Sequence, residues 1–131
     1  MTEVLLFSDD EKIFNLINSV IDGRYKLIWC TYKSLEKKLY PYPDIVIMYF
    51  DKEMVKKGTF KTIVQVKGRL GQRIPILTLM EEGTPQNIFS MLMAGAYDYL
   101  EIAKSSEEYR KKIEDIARWN WYLRKYGLKE K

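Results

Sequence analysis

The sequence predicts an α/β domain built on an open, doubly wound parallel sheet with helices on both faces. Three observations predict it. Five strand-sized apolar runs recur at regular intervals along the 131 residues. Three of them are nearly continuous in apolar residues, which is how strands covered on both faces read. Amphipathic helical patterns fill the gaps between the runs.

The strand runs are Val4-Leu5-Leu6-Phe7, Tyr25 to Cys30, Ile45 to Phe50, Ile74 to Met80, and Tyr97-Asp98-Tyr99-Leu100. In the first helical pattern Ile13, Phe14, Ile17 and Ile21 recur at three- and four-residue spacing, with Asp9 or Asp10 as the N-cap. The second is short, carries Leu35, Leu39 and Tyr40, and stops before Pro41. The third starts near Phe60, turns Ile63, Val64 and Leu70 inward, and is capped by Gly71. The fourth opens at Thr84-Pro85, a cap followed by proline at the first helical position, and ends at Gly95. Its expected inner face is Ile88, Phe89, Leu92 and Met93. The fifth starts at Ser105 or Ser106, where Glu107 and Glu108 place acidic charge in the first turn.

Composition removes several function classes. Histidine is absent, which takes away the commonest general base and metal ligand. Cys30 is the single cysteine, so an internal disulfide is impossible and a zinc site is not expected. Beside Trp29 and Ile28 it reads as a buried, inert thiol. No signal peptide is read at Met1-Thr2-Glu3, and no apolar run approaches membrane-spanning length, so a soluble cytoplasmic protein without membrane contact is expected. Residues 1–103 carry 13 basic and 13 acidic side chains and balance, whereas residues 104–131 carry nine and five, so the tail holds the whole net charge of +4. Such a tail reads as a solvated helix or as a surface for nucleic acid or an acidic partner.

In doubly wound folds the functional crevice lies beyond the carboxyl ends of the strands. Those ends are Ser8-Asp9-Asp10, Phe50-Asp51, Met80-Glu81-Glu82 and Glu101-Ile102. Adjacent carboxylates such as Asp9 and Asp10 suit a hard divalent cation, most often Mg²⁺, and equally suit a helix cap.

Leu5-Leu6-Phe7-Ser8-Asp9-Asp10-Glu11 resembles the opening of response-regulator receiver domains. Pro43-Asp44-Ile45-Val46-Ile47-Met48 is similar to the run before their phosphoacceptor, and Ile74-Pro75-Ile76-Leu77 to their fourth strand. Ala94-Gly95-Ala96-Tyr97-Asp98-Tyr99-Leu100 resembles their Gly-Ala-x-x-Tyr-Leu signature. The pieces fall in order at family spacing over residues 3–123. The resemblance implies a flavodoxin-like or receiver-like sheet of strand order 2-1-3-4-5 with five helices, the whole chain 1–131 forming one domain. An elongated last helix is expected over 105–125 and a tail over 126–131. It also implies a site in which the acidic pair holds Mg²⁺, an Asp ending strand three takes the phosphoryl group, a Thr or Ser follows strand four, and a Lys follows strand five.

The departures fall on that chemistry. Family spacing lands on Tyr49 where the acceptor Asp stands, on Met80 where the hydroxyl stands, and on Ile102 where the Lys stands, with Ala103 in place of the family's proline. A phenol is no carboxylate nucleophile, a thioether donates no hydrogen bond to a phosphoryl oxygen, and an alkyl group neutralises no charge. The degenerate pocket is therefore Asp9, Asp10, Tyr49, Asp51, Met80 and Ile102, with no catalytic residue. No cofactor is expected. Tyr49 is expected to plug the pocket, its hydroxyl donating to Asp9 or Asp10. A weaker alternative gives the site to Asp51, two residues beyond Tyr49, as phosphoacceptor or as third ligand of a cation held with Asp9 and Asp10. Sliding the alignment to Thr78 and Lys104 is opposed by the register of the apolar runs.

Tyr99 matches the family's aromatic switch, and reads either as locked in one rotamer or as a simple packing residue. The last helix is long, with Ile113, Ile116 and Leu123 expected to face the sheet. Trp119, Trp121, Tyr122 and Tyr126 cannot all share that stripe, and with Arg118, Arg124 and Lys125 they suggest an interface. The leading expectation is a non-enzymatic pseudo-receiver that binds a protein partner or a second copy of itself. The surface would comprise the fourth helix, fifth strand and extended last helix. The rivals are the phosphoacceptor at Asp51 and a nucleic-acid-binding regulator using the tail and the basic run Lys52, Lys56, Lys57, Lys61, Lys67, Arg69 and Arg73.

Overall fold

The computed structural model describes residues 2–21, 23–38, 40–102 and 106–126. The elements are β1 (Glu3–Phe7), α1 (Glu11–Ile21), β2 (Lys26–Cys30), α2 (Tyr32–Lys37), β3 (Ile45–Phe50), α3 (Lys52–Lys57), α4 (Phe60–Leu70), β4 (Ile76–Met80), α5 (Pro85–Ala94), β5 (Asp98–Glu101) and α6 (Ser106–Lys125). The five strands form one parallel sheet in the order β2-β1-β3-β4-β5, as the sequence predicts.

Side-chain alternation along the strands builds two cores, one on each face of the sheet. Val4, Leu6, Ile45, Ile47, Tyr49, Leu77, Leu79 and Leu100 pack under α1 and α6, against Ile13, Ile17, Tyr109, Ile113 and Ile116. Leu5, Phe7, Val46, Met48, Phe50, Ile76 and Met80 pack on the other face, against Leu35, Val55, Ile63, Val66, Leu70 and Met91. β1, β3 and β4 are buried on both sides, which is why their sequences are almost unbroken apolar runs.

Several elements depart from the sequence expectation. Six helices are present among the described residues where five were expected. The extra one is α3, whose N-cap is Asp51, with Met54 N–H donating to its Oδ1 at 2.9 Å. α2 ends at Lys37, short of Tyr40, with Lys38 in the left-handed region at φ 59°. In α4, Val66 takes the inner position expected of Val64, and Val64 is exposed. α5 is rotated from the expected face: Met91 and Ala94 are buried while Phe89, Leu92 and Met93 face outward. Both stripes of α5 are apolar, so periodicity alone does not choose between them. Thr84 and Asn87 close a reciprocal capping box at its start, with Pro85 at the first helical position. Cys30, expected to be buried, is half-buried on the edge strand, because β2 has no neighbour on its outer side.

α6 spans 20 residues, about 30 Å at 1.5 Å per residue. Leu123, expected against the sheet, instead lines a cavity at the sheet's amino-terminal edge with Tyr42, Pro43 and Pro75. Ser105 and the side chain of Ser106, read as caps, lie outside the described residues, as do Leu39, Ala103, Lys104 and residues 127–131. No helix of the described residues is long and apolar enough to cross a membrane.

Gly95 ends α5 at φ 120°, and a Cβ there would stand 2.9 Å from Lys67 Cε. Lys67 is not free to retreat, since its ammonium holds the carbonyls of Gln72 and Ile74. Gly95→Ala is expected to cost at least about 1 kcal/mol, read as a lowered urea midpoint with unchanged slope.

Candidate functional site

The crevice at the carboxyl edge of the sheet is assembled from the turns after β1, β3, β4 and β5. In the first turn Ser8 is fully buried, and its hydroxyl both accepts from Asp10 N–H and donates to Asp10 C=O, at 3.0 Å each. This local ring fixes the direction of the two aspartates. Asp10 Oδ1 accepts from Lys12 N–H at 2.9 Å, so Asp10 is the residue that caps α1. Asp9 Oδ1 accepts from Tyr32 N–H at 3.0 Å and ties the β1 turn to the start of α2. Trp29 closes the flank, its indole N–H on the Ser8 carbonyl at 2.8 Å and its ring stacked on Phe14 with centroids 5.1 Å apart.

Tyr49, next to last in β3, points to the α1–α6 face and is 5 % exposed. The hydrogen bond expected from its hydroxyl to Asp9 or Asp10 is not formed among the described residues, because both carboxylates are turned to backbone N–H groups. Its phenol is pushed up to about 12 by burial first, then by the carboxylates of Glu81, Asp10 and Asp51. The folded state therefore favours the neutral phenol. That contribution is complete below the ordinary value of 10.0 and is lost as pH rises from there to about 12. A spectrophotometric titration is expected to show several late tyrosinates, one of which is missing from Tyr49→Phe. An unchanged titration curve in that variant would refute the assignment.

Asp51 does not continue β3. The strand ends at Phe50, and the Asp51 carboxylate caps α3. Met80, the last residue of β4, is fully buried on the opposite face from Tyr49, among the cluster of Phe50 and Met91. The turn after β4 folds down on its thioether: a Cβ at Gly83 would stand 2.6 Å from Met80 Sδ. Ile102 N–H donates to Met80 C=O at 2.9 Å, and the Ile102 side chain packs on the Tyr49 face. The Tyr109 hydroxyl donates to the Ile102 carbonyl. Thr78 is fully buried two residues before the strand end, its hydroxyl 3.4 Å from the Asp98 carbonyl. Tyr99 is half-buried against the Phe50 face, with Lys112 Nζ 5.9 Å from its ring centroid.

Asp10, Asp51 and Glu81 thus gather around Tyr49, with Ile102 on the same face, while the Met80 side chain lies on the opposite face. Asp9, Asp10 and Asp51 each accept a backbone N–H. Among the described residues no three acidic or cysteine side chains come together in an arrangement that could hold a metal ion.

Sequence reasoning missed Tyr32. Its ring is sandwiched between Phe7 and Phe50, at centroid distances of 5.9 and 6.0 Å, and its hydroxyl donates to the Tyr49 carbonyl at 2.9 Å. Burial, then Asp9 and Asp51, hold its phenol well above the usual tyrosine range. The signal was one aromatic at the first position of a short helix directly after β2, which has no distinctive spacing.

No family model matches the chain, and no curated protein matches it in sequence. Solved structures do match. A two-component response regulator from Clostridium difficile superposes with TM-score 0.73 at 15 % identity, over 90 % of this chain and 97 % of its own. A response regulator from Thermotoga maritima gives 0.75 at 12 %, over 90 % and 98 %. The chain has the receiver fold. The receiver domain of a Pseudomonas aeruginosa sensor histidine kinase, solved with a magnesium ion coordinated in its active-site cleft, gives 0.68 at 18 %, over 92 % and 98 %. At these identities the likeness is one of fold. The side chains at the strand ends of this receiver fold decide separately what chemistry it can carry.

Proposed function

We propose that this chain is a receiver-fold interaction module of the two-component signalling type, non-enzymatic, that works without phosphoryl transfer and without a magnesium ion. The observation that carries the reading is Tyr49, which fills the seat of the acceptor with a buried neutral phenol. Met80 and Ile102 bring neither a hydroxyl nor a cation to it. A phosphoryl group placed there would meet the carboxylates of Asp10, Asp51 and Glu81, and among the described residues no cation acts on Tyr49 beside them. The residues do not fit magnesium either. Asp9 and Asp10 accept backbone N–H groups, the third ligand position is a phenol, and the Asp51 carboxylate is a helix cap. That last point also weighs against Asp51 as an alternative phosphoacceptor.

The contact surface we assign is the outward face of α5, the turn into β5, and the adjoining side of α6. On α5, Phe89 and Met93 are each 64 % exposed and Leu92 is exposed with them. Tyr97 and Trp119, also exposed, line a groove with Gly95, where α5 ends. α5 turns large apolar side chains to solvent while burying Met91 and Ala94, a pattern that suits a protein interface. A partner protein or a second copy of the chain would cover it. The test is sedimentation velocity and affinity capture with the full chain, with and without acetyl phosphate, against Phe89→Asp and Met93→Asp. Association lost in the two variants and indifferent to acetyl phosphate is the expected result. Association that requires acetyl phosphate would overturn the reading.

A further inference from the structure

The carboxyl half of α6 carries a surface that the interaction module does not use. Residues 118–126 contain four aromatic and three basic side chains and no acid. At 100° per residue, Arg118, Trp121, Tyr122 and Lys125 fall on the side of the helix opposite Tyr109, Ile113 and Ile116, which are buried against the sheet. Trp121, Tyr122 and Tyr126 are 52 %, 46 % and 66 % exposed. They are ordered against one another nonetheless. Tyr122 and Tyr126 stack with centroids 5.5 Å apart and an interplanar angle of 25°, and Trp121 meets Tyr122 edge-on at 5.3 Å. Lys125 Nζ lies 4.9 Å from the Trp121 ring centroid and 6.0 Å from that of Tyr126.

The composition selects the ligand. The exposed face has rings and cations but no aliphatic side chain, whereas membrane-inserting faces bring leucine and isoleucine, as the α5 surface does with Leu92. Two acids, Glu114 and Asp115, precede the stripe; Glu114 is engaged by Arg24 of the α1–β2 turn, and exposed Asp115 stands at its amino-terminal end, ahead of Arg118. Tyr122 and Tyr126 cover one face of each other and Lys125 lies over Trp121, yet all three rings are about half exposed. Exposed rings interleaved with positive charge are the arrangement on which unstacked bases sit, with phosphates against the cations. Duplex bases are already stacked and offer no face to the rings.

We propose that the outer face of α6, formed by Arg118, Trp121, Tyr122, Lys125 and Tyr126, binds single-stranded nucleic acid by base stacking on its rings and phosphate contact with its cations. The site is separate from the α5 surface, and Trp119, which lines a groove with Tyr97 and Pro75, belongs to that other side. Binding is sequence-tolerant and weakens with salt.

The test is fluorescence anisotropy of labelled oligo-dT and oligo-U with the full chain at low salt. A duplex of equal length and phosphatidylserine vesicles serve as controls. Expected is saturable binding of both single strands, weaker binding of the duplex, and a salt slope near −0.7 per phosphate contacted. Trp121→Ala with Tyr122→Ala is expected to weaken binding by about tenfold or more at unchanged salt slope. Trp121→Phe with Tyr122→Phe is expected to retain it. Lys125→Gln with Arg118→Gln is expected to flatten the salt slope. All are exposed positions, and circular dichroism of each variant checks the fold. No single-strand binding at low salt, binding indifferent to loss of the rings, or preference for the vesicles would each overturn the proposal.

Discussion

Tyr32→Ala is expected to destabilise the protein by about 3–5 kcal/mol, the cost of emptying a well-packed aromatic site. The ring fills the gap between Phe7 and Phe50, and Tyr40 meets Phe7 edge-on from the other side at 5.8 Å. Removing it opens a cavity directly beneath the crevice and leaves the Tyr49 carbonyl without its donor. Tyr32→Phe keeps the stack and loses only the hydrogen bond, about 1 kcal/mol. Urea unfolding of both variants measures the difference. If the alanine variant were no less stable than the phenylalanine one, the aromatic stack would not be what closes the site.

The second large effect is expected at Tyr49. Tyr49→Asp supplies the carboxylate that the phosphoryl chemistry of the fold would require, yet it is expected to destabilise by several kcal/mol and to gain no phosphorylation. The introduced carboxylate would be desolvated where a 5 % exposed phenol now sits and would face Asp10, Asp51 and Glu81. Both influences raise its folded pKa above the unfolded value. The sign follows: the variant keeps its stability below the ordinary carboxylate range and loses it as pH rises through the folded pKa. Unfolding midpoints at several pH values check this. A variant as stable as the parent at neutral pH would mean that the crevice holds a cation or a rearranged carboxylate not foreseen here.

Both predictions depend on side chains whose roles were unequally visible in the sequence. β1, β3 and β4 were legible because burial on both faces forces continuous apolar runs, and Gly95 and Pro85 punctuate α5 chemically. The strand ends were legible too: Tyr49 is next to last in β3, Met80 is last in β4, and Ile102 directly follows β5. α5 was misread because Phe89, Leu92 and Met93 make as good an apolar stripe as Met91 and Ala94, and only packing chooses between them. Asp51 read as a possible ligand when the strand was extended past Phe50. Its capping bond to Met54 N–H shows that the local helix start took the carboxylate instead. Tyr32 was invisible because its partners, Phe7, Phe50 and the Tyr49 carbonyl, come from two other strands.

Intact-mass spectrometry after incubation with acetyl phosphate and magnesium reads the chemistry of the crevice without any assumption about partners. An unmodified mass over the whole time course is the expected result. A hydroxylamine-labile adduct of one phosphoryl group, lost in Asp51→Asn, would contradict the account at its root.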